Sequence, residues 1–421
     1  MPSTLGSQEA GIKTCFKRGF SKLQRSKPAE ANDGPTLPQE LIDSILDITD
    51  RNSLTACSRV ARSFRHTSQK HIFSDIVIVP QPGYLRRRRE YELTAQKLFQ
   101  TMSGSPHLAR NVLSIVLVEG TGIGSSPWMR RDIFPTLLAM FVNLTQMSIQ
   151  SGLWLDWDSF PPASIEALQT AVALPSFVSL RLDNLRFSRS TELVSLLQCC
   201  RNLKSLYLIR VSVVTVDTDF DSPNMLSGLS SLLLDPLLLP VLHSVRSILD
   251  LGRLRYFQTT LPVIEMAAEA QHILDATDIL SHYHVRLSHH HTDNPMLTLQ
   301  RLPHLRTLEM SISFQFATSP DNYDPVGWVG SVLATSRDPS PIDHVILNIS
   351  VEENDLPYLH HLRTLESFLL APQMASLRTV TVNLDSFDVD FSICGGEREI
   401  IEAFSILAKR EMLEVELLGA S

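Results

Sequence analysis

Apolar residues from residue 112 onward recur in one short pattern, apolar-x-x-apolar-x-apolar. Its clearest copies are residues 177–182, 203–208, 229–234, 305–310 and 377–382. Counted by the central apolar position, successive copies are 25 to 37 residues apart, with a run close to 26 in the middle. The predicted centres are Ile115, Met147, Leu180, Leu206, Leu232, Phe257, Tyr283, Leu308, Val345, Val380 and Val415. The copies at Phe257 and Tyr283 are degenerate and are included because the spacing predicts them.

Alternation of apolar and polar residues around each centre predicts a strand with one buried face. Helical segments follow, such as residues 191–199 and 397–409. One unit cannot bury its apolar face alone, so neighbours are expected to stack. The sequence therefore predicts an α/β fold, a solenoid with one parallel sheet on its concave side. A period near 26 with L-x-x-L-x-L is the signature of leucine-rich repeats, and the absence of their asparagine ladder predicts an irregular solenoid.

Residues 37–73 have a helical period instead. Leu41, Ile45 and Ile48 form one apolar stripe, beside a second one of Ile42 and Leu46. Two further helical segments follow. The first carries the apolar residues Leu54, Cys57, Val60, Ala61 and Phe64, and the second ends at Ile72 and Phe73. Three short helices in about forty residues lie at the lower size limit for independent folding, so an apolar partner surface is expected.

These residues resemble the F-box found in fungal proteins with leucine-rich repeats. The matching positions are Leu37, Pro38, Glu40, Leu41, Ile45, Leu46, Leu54, Cys57, Ser58, Val60, His71 and Phe73. Phe64 stands where the family usually has Trp, and Ser53-Leu54 replaces the usual Asp-Leu. The resemblance implies docking on the Skp-family adaptor of a cullin-based ubiquitin ligase through Leu37, Pro38, Leu41, Ile45, Leu54 and Val60. The alternative is an ordinary three-helix cap on the following domain.

Composition and charge define the expected domains. Residues 1–35 lack apolar periodicity and are predicted to be a disordered basic tail; the first thirty carry six Lys or Arg and two Glu. An F-box at 36–75, a linker strand and helix at 76–111 and the repeats at 112–421 follow. Since the whole chain has a net charge of −8, the part after the tail is acidic, which argues against nucleic acid as a partner. No apolar run resembles a signal peptide or a membrane span, which favours the cytoplasm or the nucleus.

No catalytic or metal-binding constellation can be justified from spacing, so we expect no enzyme activity and no cofactor. The five Cys form no CxxC motif and are expected to be reduced. Residues 120–124 are glycine-rich but lack the GK[ST] of a phosphate loop, which favours a connecting loop. The arginines of residues 86–89 are expected at a solvated helix start. The histidines at 289–291 lack well-placed metal-ligand partners.

The outward positions of the repeat strands predict a surface for binding a target protein. They are Arg181, Tyr207, Tyr256, Gln258, His282, His284, Arg286 and Glu309. The alternative is that these residues are simply the polar side of a sheet. Trp154 and Trp157 could likewise be exposed anchors, although core packing is favoured. The resemblance to the F-box, together with the repeats, implies a substrate-recognition subunit of an SCF-type ubiquitin ligase; the alternative is a ligase-independent repeat scaffold.

Overall fold

The computed structural model describes residues 37–79, 92–119, 128–217, 226–234, 248–261, 264–287, 297–314, 324–351, 359, 361–385 and 396–418. Two compact units, Met1–Ser68 and Gln69–Ser421, make up the chain. Several sequence predictions fall outside the described residues. They are the basic tail of residues 1–35, the arginines at 86–89, the glycine-rich loop at 120–124 and the histidines at 289–291.

The first unit is helical, as the periodicity predicts. Helix α1 is Gln39–Asp47 and α2 is Arg51–Val60. Helix α3, Arg62–Ser74, begins in this unit and ends in the second. Pro38 lies just before α1, where its missing N–H costs no helical bond, and its carbonyl accepts from the N–H of Leu41 at 3.1 Å. Asp50 caps α2, since its carboxylate accepts from the backbone N–H groups of Asn52 and Ser53.

The second unit is built on one parallel sheet. Its strands are β1 Asp75–Ile78, β2 Glu92–Leu93, β3 Ser114–Glu119, β4 Gln146–Asp156, β5 Ser179–Arg189, β6 Ser205–Ile209, β7 Ser212–Thr215, β8 Ser231–Leu234, β9 Tyr256–Leu261, β10 His282–Leu287, β11 Thr307–Phe314, β12 His344–Val351, β13 Thr379–Asp385 and β14 Leu413–Leu418. They lie in the order β2-β1-β3-β4-β5-β6-β8-β9-β10-β11-β12-β13-β14, with β7 beside β5. Nearly sequential order with parallel pairing requires a crossover after each strand, as in a repeat solenoid.

Helices supply many of these crossovers. They are α4 Ala95–Gly104, α5 Pro106–Ala109, α6 Ile133–Leu138, α7 Pro162–Val172, α8 Ser190–Cys199, α9 Ile264–Asp275, α10 Pro325–Ala334, α11 Arg363–Leu369, α12 Gly396–Ala403 and α13 Ser405–Lys409. Buried side chains from strands and helices form one continuous hydrophobic cluster from Ile76 to Leu407. The core therefore lies on the helical side of the sheet. We call the opposite side, where the residues between the buried ones project, the open sheet face.

The pairing register confirms the predicted repeat centres from Ile115 to Val380. Each of these centres is the Cα partner of the next one, through β3, β4, β5, β6, β8, β9, β10, β11, β12 and β13. The degenerate copies at Phe257 and Tyr283 are in register with the others and fully buried. Spacing therefore identified strands whose sequences alone are unconvincing.

Both ends of the sheet differ from the sequence prediction. Val380 pairs with Leu413, so the predicted last centre, Val415, is two residues too late. A shift by two residues keeps each side chain on its face, so alternation could not exclude it. At the other end a strand was predicted as part of a linker, and β1 is that strand. It joins the sheet in register with the repeats, since Ile76 pairs with Ile115.

The two tryptophans after the Met147 centre have different environments. Trp157 is buried, and its ring lies 5.6 Å from that of Phe160 and 5.0 Å from that of Phe187. Trp154 belongs to β4 and is 48% exposed. Packing in the core is thus confirmed for Trp157 and wrong for Trp154.

Candidate docking surfaces

An apolar stripe covers one side of the helical unit. Leu37, Leu41 and Ile45 are 58%, 51% and 52% exposed, and they follow one another at intervals of four residues. Ile48, directly after α1, and Val60, at the end of α2, are still more exposed, at 88% and 76%. Large apolar side chains exposed together in this way mark a binding surface in a soluble protein.

Polar contacts orient α1 so that this stripe faces outward. Asp43 lies two residues from both Leu41 and Ile45, which places it on the other side of the helix. Its carboxylate accepts from the Gln39 amide at 2.8 Å and from the Thr67 hydroxyl at 2.7 Å. Hydrogen bonds to α3 therefore use the polar side of α1 and leave the apolar side uncovered.

Leu54 differs from the other predicted adaptor-binding residues. It is only 4% exposed, as is expected of a residue that packs in the interior, so it is not part of the accessible surface of the free chain. In the second apolar stripe of α1, Leu46 is also buried and Ile42 is partly buried. The first stripe, together with Pro38, is the accessible surface.

All the predicted target-binding residues lie on strands of the second unit. Each has a buried strand residue next to it in sequence and projects from the open sheet face. The structure brings five of them together on β9, β10 and β11: Tyr256, Gln258, His282, His284 and Glu309. Arg181 and Tyr207 lie apart from these five on β5 and β6, beside a cavity of about 490 Å³ that Lys204 and several serines also line.

Glu309 is the centre of a hydrogen-bonded cluster. Its carboxylate lies 3.1 Å from Nε2 of His282 and 3.5 Å from Nδ1 of His284, and it accepts from Nδ2 of Asn348 at 2.6 Å. The Tyr256 ring packs against the His282 ring at 4.7 Å, and the Tyr256 hydroxyl donates to Gln258 at 2.9 Å. Many of the polar side chains here are engaged with one another, which fixes their positions.

The charges in this cluster are set by burial and by these contacts. Burial acts to raise the pKa of Glu309, but the hydrogen bond from His282 and the nearby His284 hold that pKa below its usual value. Burial lowers the pKa of His284 and outweighs the attraction of Glu309. Burial also raises the pKa of Tyr256 to about 12. At neutral pH the cluster therefore holds an ionised Glu309 beside a neutral His284.

A second ionic contact lies towards the other end of the sheet. Asp183 is buried and accepts from Arg210 at 2.7 Å, while Arg181 lies 3.5 Å from its other oxygen. One carboxylate thus serves two guanidinium groups. The Nε atom of Arg181 is buried without a hydrogen-bond partner.

Comparison with known proteins bears on the helical unit. Residues 35–75 match the F-box domain family. The match contains α1, α2 and α3, so the exposed apolar stripe belongs to the F-box. No curated protein matches the chain. Among solved structures, a protein of Bacteroides fragilis is similar over 66% of this chain and 66% of its own, at 10% identity and a TM-score of 0.35, a level that supports no functional argument.

Two further observations concern the part of the chain that the structure describes. None of its helices has the length and apolar character to cross a membrane. It also contains no group of three His, Cys, Asp or Glu side chains arranged to hold a metal ion.

Sequence reasoning missed polar residues at the C-terminal end of the sheet. Ser311, Asn348 and Asn383 occupy the third position after their centres and line a cavity of about 350 Å³ with Asp385. The third position after a centre is an outward position, so the same alternation predicts that Ser311, Asn348 and Asn383 project from the open sheet face. Residue type does not single them out, because Tyr and Arg are enriched in protein interfaces whereas Ser is depleted.

Proposed function

We propose that the chain is the substrate-recognition subunit of an SCF-type ubiquitin ligase. The F-box docks on the Skp-family adaptor, and the open sheet face holds a target protein. The observation that carries the proposal is the coincidence of the F-box match with an apolar stripe that is more than half exposed.

The energetics of the stripe support docking. Burying one large aliphatic side chain contributes roughly 1.5–3 kcal/mol, so covering Leu37, Leu41 and Ile45 together provides a substantial part of a binding free energy. Anchors of this kind usually dominate an interface. Pro38 and Val60 border the same surface and are proposed as contacts of the adaptor.

In this function the protein performs no covalent chemistry and needs no cofactor. It holds target lysines near the ubiquitin-conjugating enzyme and raises their effective concentration there. The target contacts we propose are Arg181, Tyr207, Tyr256, Gln258, His282, His284, Arg286 and Glu309. A cytoplasmic or nuclear location fits this role.

The test is adaptor binding by a variant with both Leu41→Ala and Ile45→Ala. We expect its affinity for a purified Skp-family adaptor to fall by about 2 kcal/mol or more, roughly thirtyfold, because two anchors are truncated. Both side chains are largely exposed, so the thermal midpoint of the variant should stay close to that of the wild type. Titration calorimetry measures the affinity.

A matched control is Leu153→Ala, which truncates an exposed leucine of the second unit. Its adaptor affinity should equal that of the wild type. Equal binding by the double variant and the wild type would contradict the assigned surface. A wild-type chain that fails to bind any Skp-family adaptor would favour the alternative, a ligase-independent scaffold.

A further inference from the structure

The cavity at the C-terminal end of the open sheet face has an ordered polar lining. Ser311, Asn348 and Asn383 lie side by side on β11, β12 and β13, since each is the Cα partner of the next. Ser313, Ser350 and Asp385 line it as well, and the volume is about 350 Å³. Ligand pockets in proteins span about 300–1,000 Å³, so this one suits a single side chain or a short segment.

Glu309 determines which way the two amides point. An ionised carboxylate only accepts, so the contact at 2.6 Å must come from Nδ2 of Asn348. The Oδ1 atom of Asn348 is then free to accept from Nδ2 of Asn383, at 2.8 Å. Since the pKa of Glu309 lies below its usual value, the carboxylate is ionised at neutral pH and this direction is fixed.

The chain of amides ends in an unused acceptor. Oδ1 of Asn383 is buried and has no hydrogen-bond partner. A buried acceptor without a donor is unfavourable, and a ligand with an N–H group would satisfy it. Reversing the Asn383 amide would bring two oxygens together at Asn348 and is therefore excluded.

Carboxylates lie next to this acceptor. Asp385 follows two residues later on β13, so its side chain is on the same face, and it is exposed at the cavity. Among the described residues, no Arg, Lys or His forms an ion pair with it. Glu416 of β14 is the Cα partner of Asn383 and is also exposed.

We propose that this cavity binds an arginine side chain of the target protein, between Oδ1 of Asn383 and the carboxylate of Asp385. The inference rests on the proposed function and specifies one feature of its target. A guanidinium group has five N–H donors in a planar fork and can serve two neighbouring acceptors at once. A lysine ammonium is a point charge and matches this pair of acceptors less well.

Arg286 limits where the cation can bind. It lines the same cavity from β10, three strands from β13, which is roughly 14 Å at about 4.8 Å per strand. Its charge disfavours a cation on the β10 side and leaves the β13 side as the cationic subsite. A carbonyl or carboxylate of the same target segment is the group suited to Arg286.

The test uses the full chain and three capped tripeptides: Gly-Arg-Gly, Gly-Lys-Gly and Gly-citrulline-Gly, in which the ureido group of citrulline replaces the guanidinium without its charge. Saturation-transfer NMR measures their dissociation constants. We expect the arginine peptide to bind at least tenfold more tightly than the citrulline peptide and more tightly than the lysine peptide. Asp385→Asn and Asn383→Ala should each weaken its binding about fivefold.

Glu166→Gln is the matched control, because it removes one exposed carboxylate on the helix α7. It should leave the affinity of the arginine peptide unchanged. The proposal is overturned if the arginine and citrulline peptides bind equally or if the arginine peptide does not bind detectably. It is also overturned if the Asp385 and Glu166 variants lose the same amount of affinity for the arginine peptide. Adaptor affinity is measured separately on the same variants, so failure of the ligase assignment would be seen independently of failure at this cavity.

Discussion

The hydroxyl of Tyr283 lies in the core of the second unit without a hydrogen-bond partner. The residue is fully buried, and its ring stacks on that of Phe257 at 5.5 Å between centroids. Burial raises the pKa of this phenol far above its usual value. Burial of the ring stabilises the fold, whereas the hydroxyl has lost its hydrogen bonds to water and forms none in the protein.

Tyr283→Phe should therefore leave the protein as stable as the wild type or stabilise it by up to about 1 kcal/mol. Urea unfolding followed by circular dichroism measures the change. Tyr256→Phe is the matched control, because the Tyr256 hydroxyl does donate a hydrogen bond, at 2.9 Å to Gln258. That variant should lose about 0.5–1.5 kcal/mol. A Tyr283→Phe variant that is destabilised as much as Tyr256→Phe would show that the buried hydroxyl has a partner after all.

Individual residues also show what the sequence could predict. The repeat spacing was sufficient to place Phe257 and Tyr283 in the core, because stacked units must share one register. It was not sufficient to choose between Leu413 and Val415, which lie on the same face. The open acceptor of Asn383 depends on Asn348, 35 residues away in sequence, and on Glu309 beyond it. A pattern read along one strand does not contain the orientation of an amide set by neighbouring strands.

At the scale of elements, helix–helix contacts determine where a small residue is needed. Gly330 of α10 faces Phe368 of α11, and a Cβ placed on Gly330 would lie 2.5 Å from the Phe368 ring. Gly104, the last residue of α4, has no atom within 4 Å of the corresponding position. The two glycines thus differ in packing although both are helical.

Substituting alanine should separate these two roles. Gly330→Ala gains about 1 kcal/mol of helix propensity, but displacing the Phe368 ring, which packs against the core, costs about 1–3 kcal/mol. We expect a net destabilisation of about 1 kcal/mol, measured by the urea midpoint. Gly104→Ala should be neutral or stabilising. If both variants are stabilised alike, α10 and α11 do not pack as closely as described.

Another element was predicted only in part. The sequence predicts one helix over residues 397–409, and the structure has α12 and α13 with a break at Phe404. The buried carboxylate of Glu366, on α11, accepts from the N–H groups of Ile406 at 2.5 Å and Leu407 at 3.0 Å. These N–H groups are at the start of α13 and are free to bond Glu366 because the helix restarts there. The acceptor lies 40 residues away along the chain, so the apolar periodicity of residues 397–409 could not predict the break.

For the second unit as a whole, stability is expected to vary with position in the sheet. A repeat solenoid is held by contacts between neighbouring units, so an internal strand has two neighbours and a terminal strand has one. In β12 the core residues Val345, Leu347 and Ile349 are fully buried. In β14, which pairs only with β13 among the described strands, Leu413 and Val415 are partly exposed and Leu417 is 36% exposed.

Hydrogen exchange should therefore show a gradient across the sheet. The amides of β14 that bond to β13 should exchange before those of β12, because opening β14 breaks one interface and exposes little apolar area, whereas opening β12 breaks two. Exchange followed by mass spectrometry on the full chain measures both, and β11, an internal strand like β12, is the control that should match it. If β14 exchanges as slowly as β12, the sheet opens as one cooperative unit. In that case unfolding does not begin at β14. The exposed charges of Glu414 and Glu416 would still disfavour pairing of this edge strand with other chains.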